Sequence, residues 1–208
     1  MKILWFVSLF ILPLALPVSP KEKRQEASSV EIKDADMVHI DNFYIDKYEY
    51  PNRKGVMPQV DITWTEARDL CRARGKRLCS EREWEKACRG SQNQLYGYGP
   101  TFEQGLCNTP YKEGGVWNRG PGATPSGEFT ECASDYGVYD MIGNVWEWTD
   151  GWYIQENKWR VVRGGSWFHS VNLARADSRY GRFLATDYRL DLIGLRCCRS
   201  ASEEDQRE

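Results

Sequence analysis

The sequence predicts an α+β fold with little regular secondary structure, two short helices and short antiparallel strands. Two capping signatures each open a short amphipathic run. Several short segments alternate apolar with polar residues. The chain also carries 9 Trp, 11 Tyr and 18 Gly, bulky rings and turn formers that fill a core which regular elements do not fill alone. At 208 residues it is long enough for one well-cored domain and too short for two.

The first helix opens at Thr63-Trp-Thr-Glu66 and the second at Ser80-Glu-Arg-Glu83; in both, a hydroxyl and a carboxylate three residues apart satisfy each other's backbone donors. Trp64, Ala67, Leu70 and Cys71 form the apolar stripe of the first, and Trp84, Ala87 and Cys88 that of the second. Each is expected to end at a glycine, Gly75 and Gly90. Arg68, Arg72 and Arg82 then face solvent. MVHIDNFYIDKYEY alternates well enough for one or two strands, and RVVRGGSWF and LIGLRCC read as strands as well. From Gly90 to Asp135 the chain is rich in Gly, Pro, Asn and Ser without a period, and reads as a long loop region that something must hold.

Residues 1–19 open on a single lysine followed by an apolar run to about Val18, interrupted by Pro13 and Pro17. That run is shorter than the roughly 20 residues of a spanning helix, so it reads as an export signal or anchor. Membrane contact requires that it stay uncleaved. Residues 20–36 read as a polar linker, 37–199 as the folded domain and 200–208 as a disordered acidic tail. A net charge of −2 gives no basic field to draw in nucleic acid.

Seven cysteines, Cys71, Cys79, Cys88, Cys107, Cys132, Cys197 and Cys198, behind an export signal imply an oxidising compartment, periplasmic or extracellular, and a disulfide framework. No Cys-x-x-Cys knuckle marks a zinc site. The odd count leaves one thiol free or joined to another chain, which admits a covalent dimer.

Three runs are specific: GKRLCSEREWEKACRG (Gly75 to Gly90), YGVYDMIGNVWEWTDGW (Tyr136 to Trp152), and RVVRGGSWF with IGLRCC downstream. In this order they resemble the formylglycine-generating enzyme family, also called the sulfatase-modifying factor domain, whose fold is a C-type-lectin-like architecture. In Trp146-Glu-Trp148 the alternation of an extended chain puts both rings on one face and Glu147 on the other. A carboxylate there needs a charged or hydrogen-bonding partner. The resemblance implies a structural calcium ion held by the side chains of Asp140 and Glu147 and the carbonyls of Gly143 and Val145. The residues suit it, since calcium takes six to eight oxygens from a flexible mix of carboxylates and carbonyls. Otherwise Glu147 caps a turn or pairs with an arginine such as Arg163. A second calcium site of the family matches Asn108 and Thr109, but no carboxylate nearby completes it.

The family's catalytic members carry two cysteines five residues apart after the GGS motif, which bind copper and oxidise a substrate cysteine to formylglycine. Those positions here are His169 and Ala174. Without soft sulfur ligands a copper site has no basis. Iron, used by other branches, would need His39 and His169, the only histidines, to converge with a carboxylate. The resemblance pairs Cys71 with Cys197. Cys88 matches a bridged position whose partner position holds Arg179, leaving Cys79 or Cys198 for it, while Cys107 and Cys132 bracket the long loop and could close it. His169, Trp167, Arg175 and Arg179 are the expected ligand groove, with arginine forks and aromatic area suited to a protein, peptide or anionic ligand. The expected function is an exported, calcium-stabilised binding or accessory module without the catalytic thiols. The alternative is an oxidoreductase of the formylglycine-generating or non-heme iron superfamily acting on a protein or peptide.

Overall fold

The computed structural model describes residues 36–202 and residue 205. The segment expected for export, the expected linker through residue 35 and much of the expected acidic tail lie outside the described residues. In α1 (Trp64–Arg72) the Thr63 hydroxyl accepts from the Glu66 amide while the Glu66 carboxylate accepts from the Thr63 amide. Ser80 and Glu83 repeat the device at α2 (Glu81–Arg89). Such caps are worth about 1 kcal/mol each. α2 stops at Gly90, with φ at 67°, where any side chain would collide with Asp135. In α1 the regular turns end at Arg72, and Gly75, left-handed at φ 67°, lets the Lys76 amide reach back to the Cys71 carbonyl at 3.0 Å.

Among the described residues there are ten short strands: β1 (Met37–Ile40), β2 (Phe43–Asp46), β3 (Arg77–Leu78), β4 (Tyr111–Glu113), β5 (Val116–Asn118), β6 (Trp146–Ile154), β7 (Trp159–Arg163), β8 (Arg179–Tyr180), β9 (Ile193–Leu195) and β10 (Cys197–Ser200). One antiparallel sheet has the order β1-β2-β10-β3, and a second has the order β8-β7-β6-β9. The pairing of β6 with β9 is parallel, unlike the antiparallel expectation for the strands at large. β9 and β10 are separated by Arg196 alone, so the chain changes sheets across this one residue. β4 and β5 form an exposed hairpin inside the expected loop region, turning through Gly114 and Gly115, both at positive φ. With all but Asn118 of these strand residues exposed, the hairpin shows no apolar alternation, and only the Gly-Gly pair announces it.

Two apolar clusters result. The first gathers Ile40, Ile45, Trp84, Cys88 and Met141 around α2, and the second gathers Trp64, Leu78, Trp146, Trp148 and Leu195 around α1. Disulfides join Cys71 to Cys197, Cys79 to Cys198, and Cys107 to Cys132 across the long loop region. Cys88 is free and buried, which corrects the expectation that it bridges Cys79 or Cys198. Those two sulfurs take each other, and Cys88 packs its thiol toward the Met141 carbonyl instead.

Candidate functional site

The segment Asp140 to Glu147 winds before it becomes strand: Asp140, Gly143 and Asn144 all have positive φ. Gly143 is required there, because a Cβ would lie 2.3 Å from the Asn108 carbonyl oxygen. Asn144 is the hub. Its amide donates to the Asn108 carbonyl, its Oδ1 accepts from Asn108 Nδ2 at 3.0 Å and the Thr124 amide at 2.9 Å, and its Nδ2 donates to Glu49 Oε2 at 2.7 Å. Asn108 is thereby engaged as an amide donor, also reaching the Gly122 carbonyl, and Thr109 is buried beside it.

Glu147 points away from the Trp146 and Trp148 rings and is fully buried. Arg196 meets it with both ends of its fork, Nη2 to Oε1 and Nε to Oε2, each at 2.7 Å, and Trp84 Nε1 donates to Oε2 at 2.7 Å. Arg163 stands opposite Glu147 in strand register, but its guanidinium goes to Glu81 and Glu85. The partner is Arg196, at the crossing between the two sheets, where it also donates to the Asp46 and Tyr139 carbonyls.

Around this pair stand three further buried carboxylates, of which Asp46 is already paired with Lys76. Asp140 Oδ2 accepts from the Gly127 amide at 2.6 Å, and burial raises its pKa to about 6. Glu49, which the sequence reading did not single out, is completely buried in Tyr48-Glu-Tyr50 just after β2. Its Oε2 accepts from Ser126 Oγ and Asn144 Nδ2, both at 2.7 Å, while Oε1 has no hydrogen-bond partner. Burial, then the charges of Asp140 and Glu147, hold its carboxyl well above the usual range. A signal was present, since Tyr-Glu-Tyr repeats the pattern of Trp-Glu-Trp.

Among the described residues no three His, Cys, Asp or Glu side chains form a metal-holding group by themselves. A calcium ion there must therefore draw on carbonyl oxygens as well. The donors fit in part: Asp140 and the carbonyls of Gly143 and Val145 remain candidates, Glu49 Oε1 is an orphaned buried acceptor, and both oxygens of Glu147 are already engaged.

The second region lies around His169. Nδ1 accepts from Trp146 Nε1 at 3.0 Å and lies 2.9 Å from Ser166 Oγ, which places the proton of the neutral ring on Nε2. Burial and then the charge of Arg119 lower its pKa. His169 lines two cavities. One, of about 340 Å³, lies beside Trp117, Arg119 and Phe168, and the other, of about 440 Å³, beside Leu173, Tyr180, Phe183 and Tyr188. Arg119 stacks on Phe168 at 3.6 Å and Arg182 on Phe183 at 4.9 Å.

Of the expected groove residues only His169 lines these cavities. Arg175 pairs with Asp177, Arg179 is drawn to Glu81 across 98 residues of sequence, and Trp167 packs edge-on against Phe168. Ala174 is buried in the first cluster, where a Cβ on Gly165 would lie 2.8 Å from its Cα. His39 stacks on Tyr44 across the β1–β2 pair and lines neither cavity.

The sequence profile of the sulfatase-modifying factor enzyme 1-like domain matches residues 45–201. The chain belongs to this family. Among proteins similar to it, the bovine (Bos taurus) inactive C-alpha-formylglycine-generating enzyme 2 is 37% identical over 155 residues, 69% of this chain and 50% of that protein. The mouse (Mus musculus) formylglycine-generating enzyme is 34% identical over 132 residues, 53% of this chain and 35% of that protein. The chain thus spans about half the length, or less, of these relatives. In structure it is similar to CarF, with a TM-score of 0.64 and 16% identity over 77% of this chain and 87% of the other. It is also similar to PvdO from Pseudomonas aeruginosa, with a TM-score of 0.57 and 22% identity over 76% of this chain and 80% of the other. The fold is that of the formylglycine-generating enzymes, a C-type-lectin-like architecture of two helices and short strands.

Proposed function

We propose that this member of the sulfatase-modifying factor family is a non-catalytic binding or accessory module. The observation that carries this reading is the fate of the sulfur. At the positions of the family's thiol pair stand His169 and Ala174, six cysteines are spent in bridges, and Cys88 lies buried with its pKa pushed far up by burial. A thiol so held is neither nucleophile nor metal ligand. The similarity to a relative named as an inactive enzyme supports the same reading.

The cleft around His169 is the binding surface in this proposal. Its aromatic and apolar walls, with Arg119 and Arg182 at the rim, suit a protein or peptide segment that offers an apolar side chain beside a carboxylate. Export to the periplasm or the extracellular space is part of the proposal, supported by three disulfides. A calcium ion near Asp140 is part of it too; such an ion would contribute charge neutralisation and a clamp on the 140–147 segment. Calcium is also the family expectation for Glu147.

The test is copper(I) loading of the purified chain with a cysteine-containing peptide. The wild type is expected to show neither thiolate–copper absorption nor peptide oxidation, and the doubly substituted His169→Cys, Ala174→Cys chain to gain the absorption. Oxidation of the peptide by the wild type would overturn the reading.

A further inference from the structure

The buried carboxylates around Arg196 are not equivalent, and the difference assigns them different work. We infer that Glu49, through Oε1, is a ligand of the cation held near Asp140 and the Gly143 and Val145 carbonyls, in the position that family resemblance gives to Glu147. This inference rests on the proposed calcium site.

Glu147 is already committed through both oxygens, which take three of a carboxylate's roughly four acceptor positions. Both of its oxygens are bound by the Arg196 fork, one also by Trp84, and the pair is fully buried. Pulling it onto a cation would leave a guanidinium stranded in the core. Glu49 is the reverse case. One oxygen is anchored by two donors and the other is buried with no partner. A carboxylate oriented through one oxygen, with the second left open, has the form of a metal ligand held by its outer contacts.

The anchors also point to where that open oxygen lies. Ser126, which holds Glu49, immediately precedes Gly127, whose amide holds Asp140. Asn144, the second anchor, lies between Gly143 and Val145 in the chain. Of the two groups that fix Glu49, Asn144 thus lies between the two expected carbonyl ligands, and Ser126 adjoins the residue that holds Asp140. With Glu147 neutralised by Arg196, Glu49 and Asp140 remain as two negative charges for one divalent cation. Hard oxygen donors and an irregular mix of carboxylates and carbonyls suit calcium better than magnesium, which demands near-octahedral geometry.

The experiment uses the full chain, purified with its disulfides intact and stripped with a chelator. Calcium is titrated in a calorimeter, and terbium is followed by luminescence sensitised through the tryptophans. The wild type is expected to bind one ion, and Asp140→Asn to lose it. Glu49→Gln should weaken binding by more than the roughly hundredfold that outer contacts cost, and Ser126→Ala by about tenfold. Glu49→Gln binding as tightly as wild type would overturn the assignment of Glu49 while leaving the calcium site standing. No binding by the wild type at millimolar calcium would remove the calcium reading itself. Should Glu49→Gln fail to fold, Ser126→Ala decides: wild-type affinity there overturns the inference.

Discussion

Glu147 and Glu49 occupy nearly the same sequence setting, Trp-Glu-Trp and Tyr-Glu-Tyr, and both have no exposed surface, yet the fold treats them differently. Glu147 is saturated, with a bidentate arginine and an indole donor. Glu49 is satisfied on one oxygen and bare on the other. A buried carboxylate with both oxygens engaged belongs to the scaffold, whereas one with a bare oxygen is evidence of something still to be bound.

The largest effect that separates the two comes from Arg196→Met. It leaves Glu147 without its charged partner in the core, held by Trp84 alone, and should cost about 3–5 kcal/mol in denaturant unfolding. Replacing both members, with Glu147→Gln beside Arg196→Met, should recover part of that loss; a double variant as unstable as the single would mean that the pair is not the source. Next comes pH. The Asp140 pKa is raised in the fold to about 6 from 3.8, so in chelator its contribution is fully present below pH 4 and is lost as the pH rises through 6. The stability difference between wild type and Asp140→Asn should therefore shrink by on the order of 2 kcal/mol from pH 4 to pH 7. Saturating calcium should reverse the trend, because the ion binds the deprotonated carboxylates; a pH-independent difference would count against the site.

Glu49→Gln in chelator should move stability by less than about 1 kcal/mol, since Oε1 has no hydrogen bond to lose. A loss as large as that of Arg196→Met would erase the contrast between the two glutamates. His169→Ala, which touches neither carboxylate, should cost about 1 kcal/mol by unpairing Trp146 Nε1. The same substitution should weaken binding to a peptide selected for the cleft.

How much of this could be read in the sequence follows the range of the interactions. The two capping boxes are contained in four residues each, and both form as the spacing requires. The alternation in Trp146-Glu-Trp148 correctly separated the rings from the carboxylate. The three motif blocks identified the family, and the matched span covers them. What escaped was tertiary. Glu147 meets an arginine 49 residues away that the sequence shows only as one letter in LRCC, while Ser126 and Asn144 reach Glu49 from 77 and 95 residues away. Arg179 reads as a groove arginine until Glu81, 98 residues earlier, claims it. Nothing local in any of these residues encodes the partner.

Cys197 and Cys198 are neighbours on β10, and neighbouring strand residues face opposite sides. One sulfur is fastened to α1 in the second cluster and the other to Cys79 in the first, spanning 126 and 119 residues. A ribosome releases the chain from its N-terminus onward. The Cys107–Cys132 bridge is available for closure well before synthesis reaches residue 197, but both hydrophobic cores must wait for the same late dipeptide before either can be locked. A nascent chain stalled short of it carries three unclaimed thiols, Cys71, Cys79 and Cys88, where the released protein has one, which makes this strand the last fastening of the whole assembly.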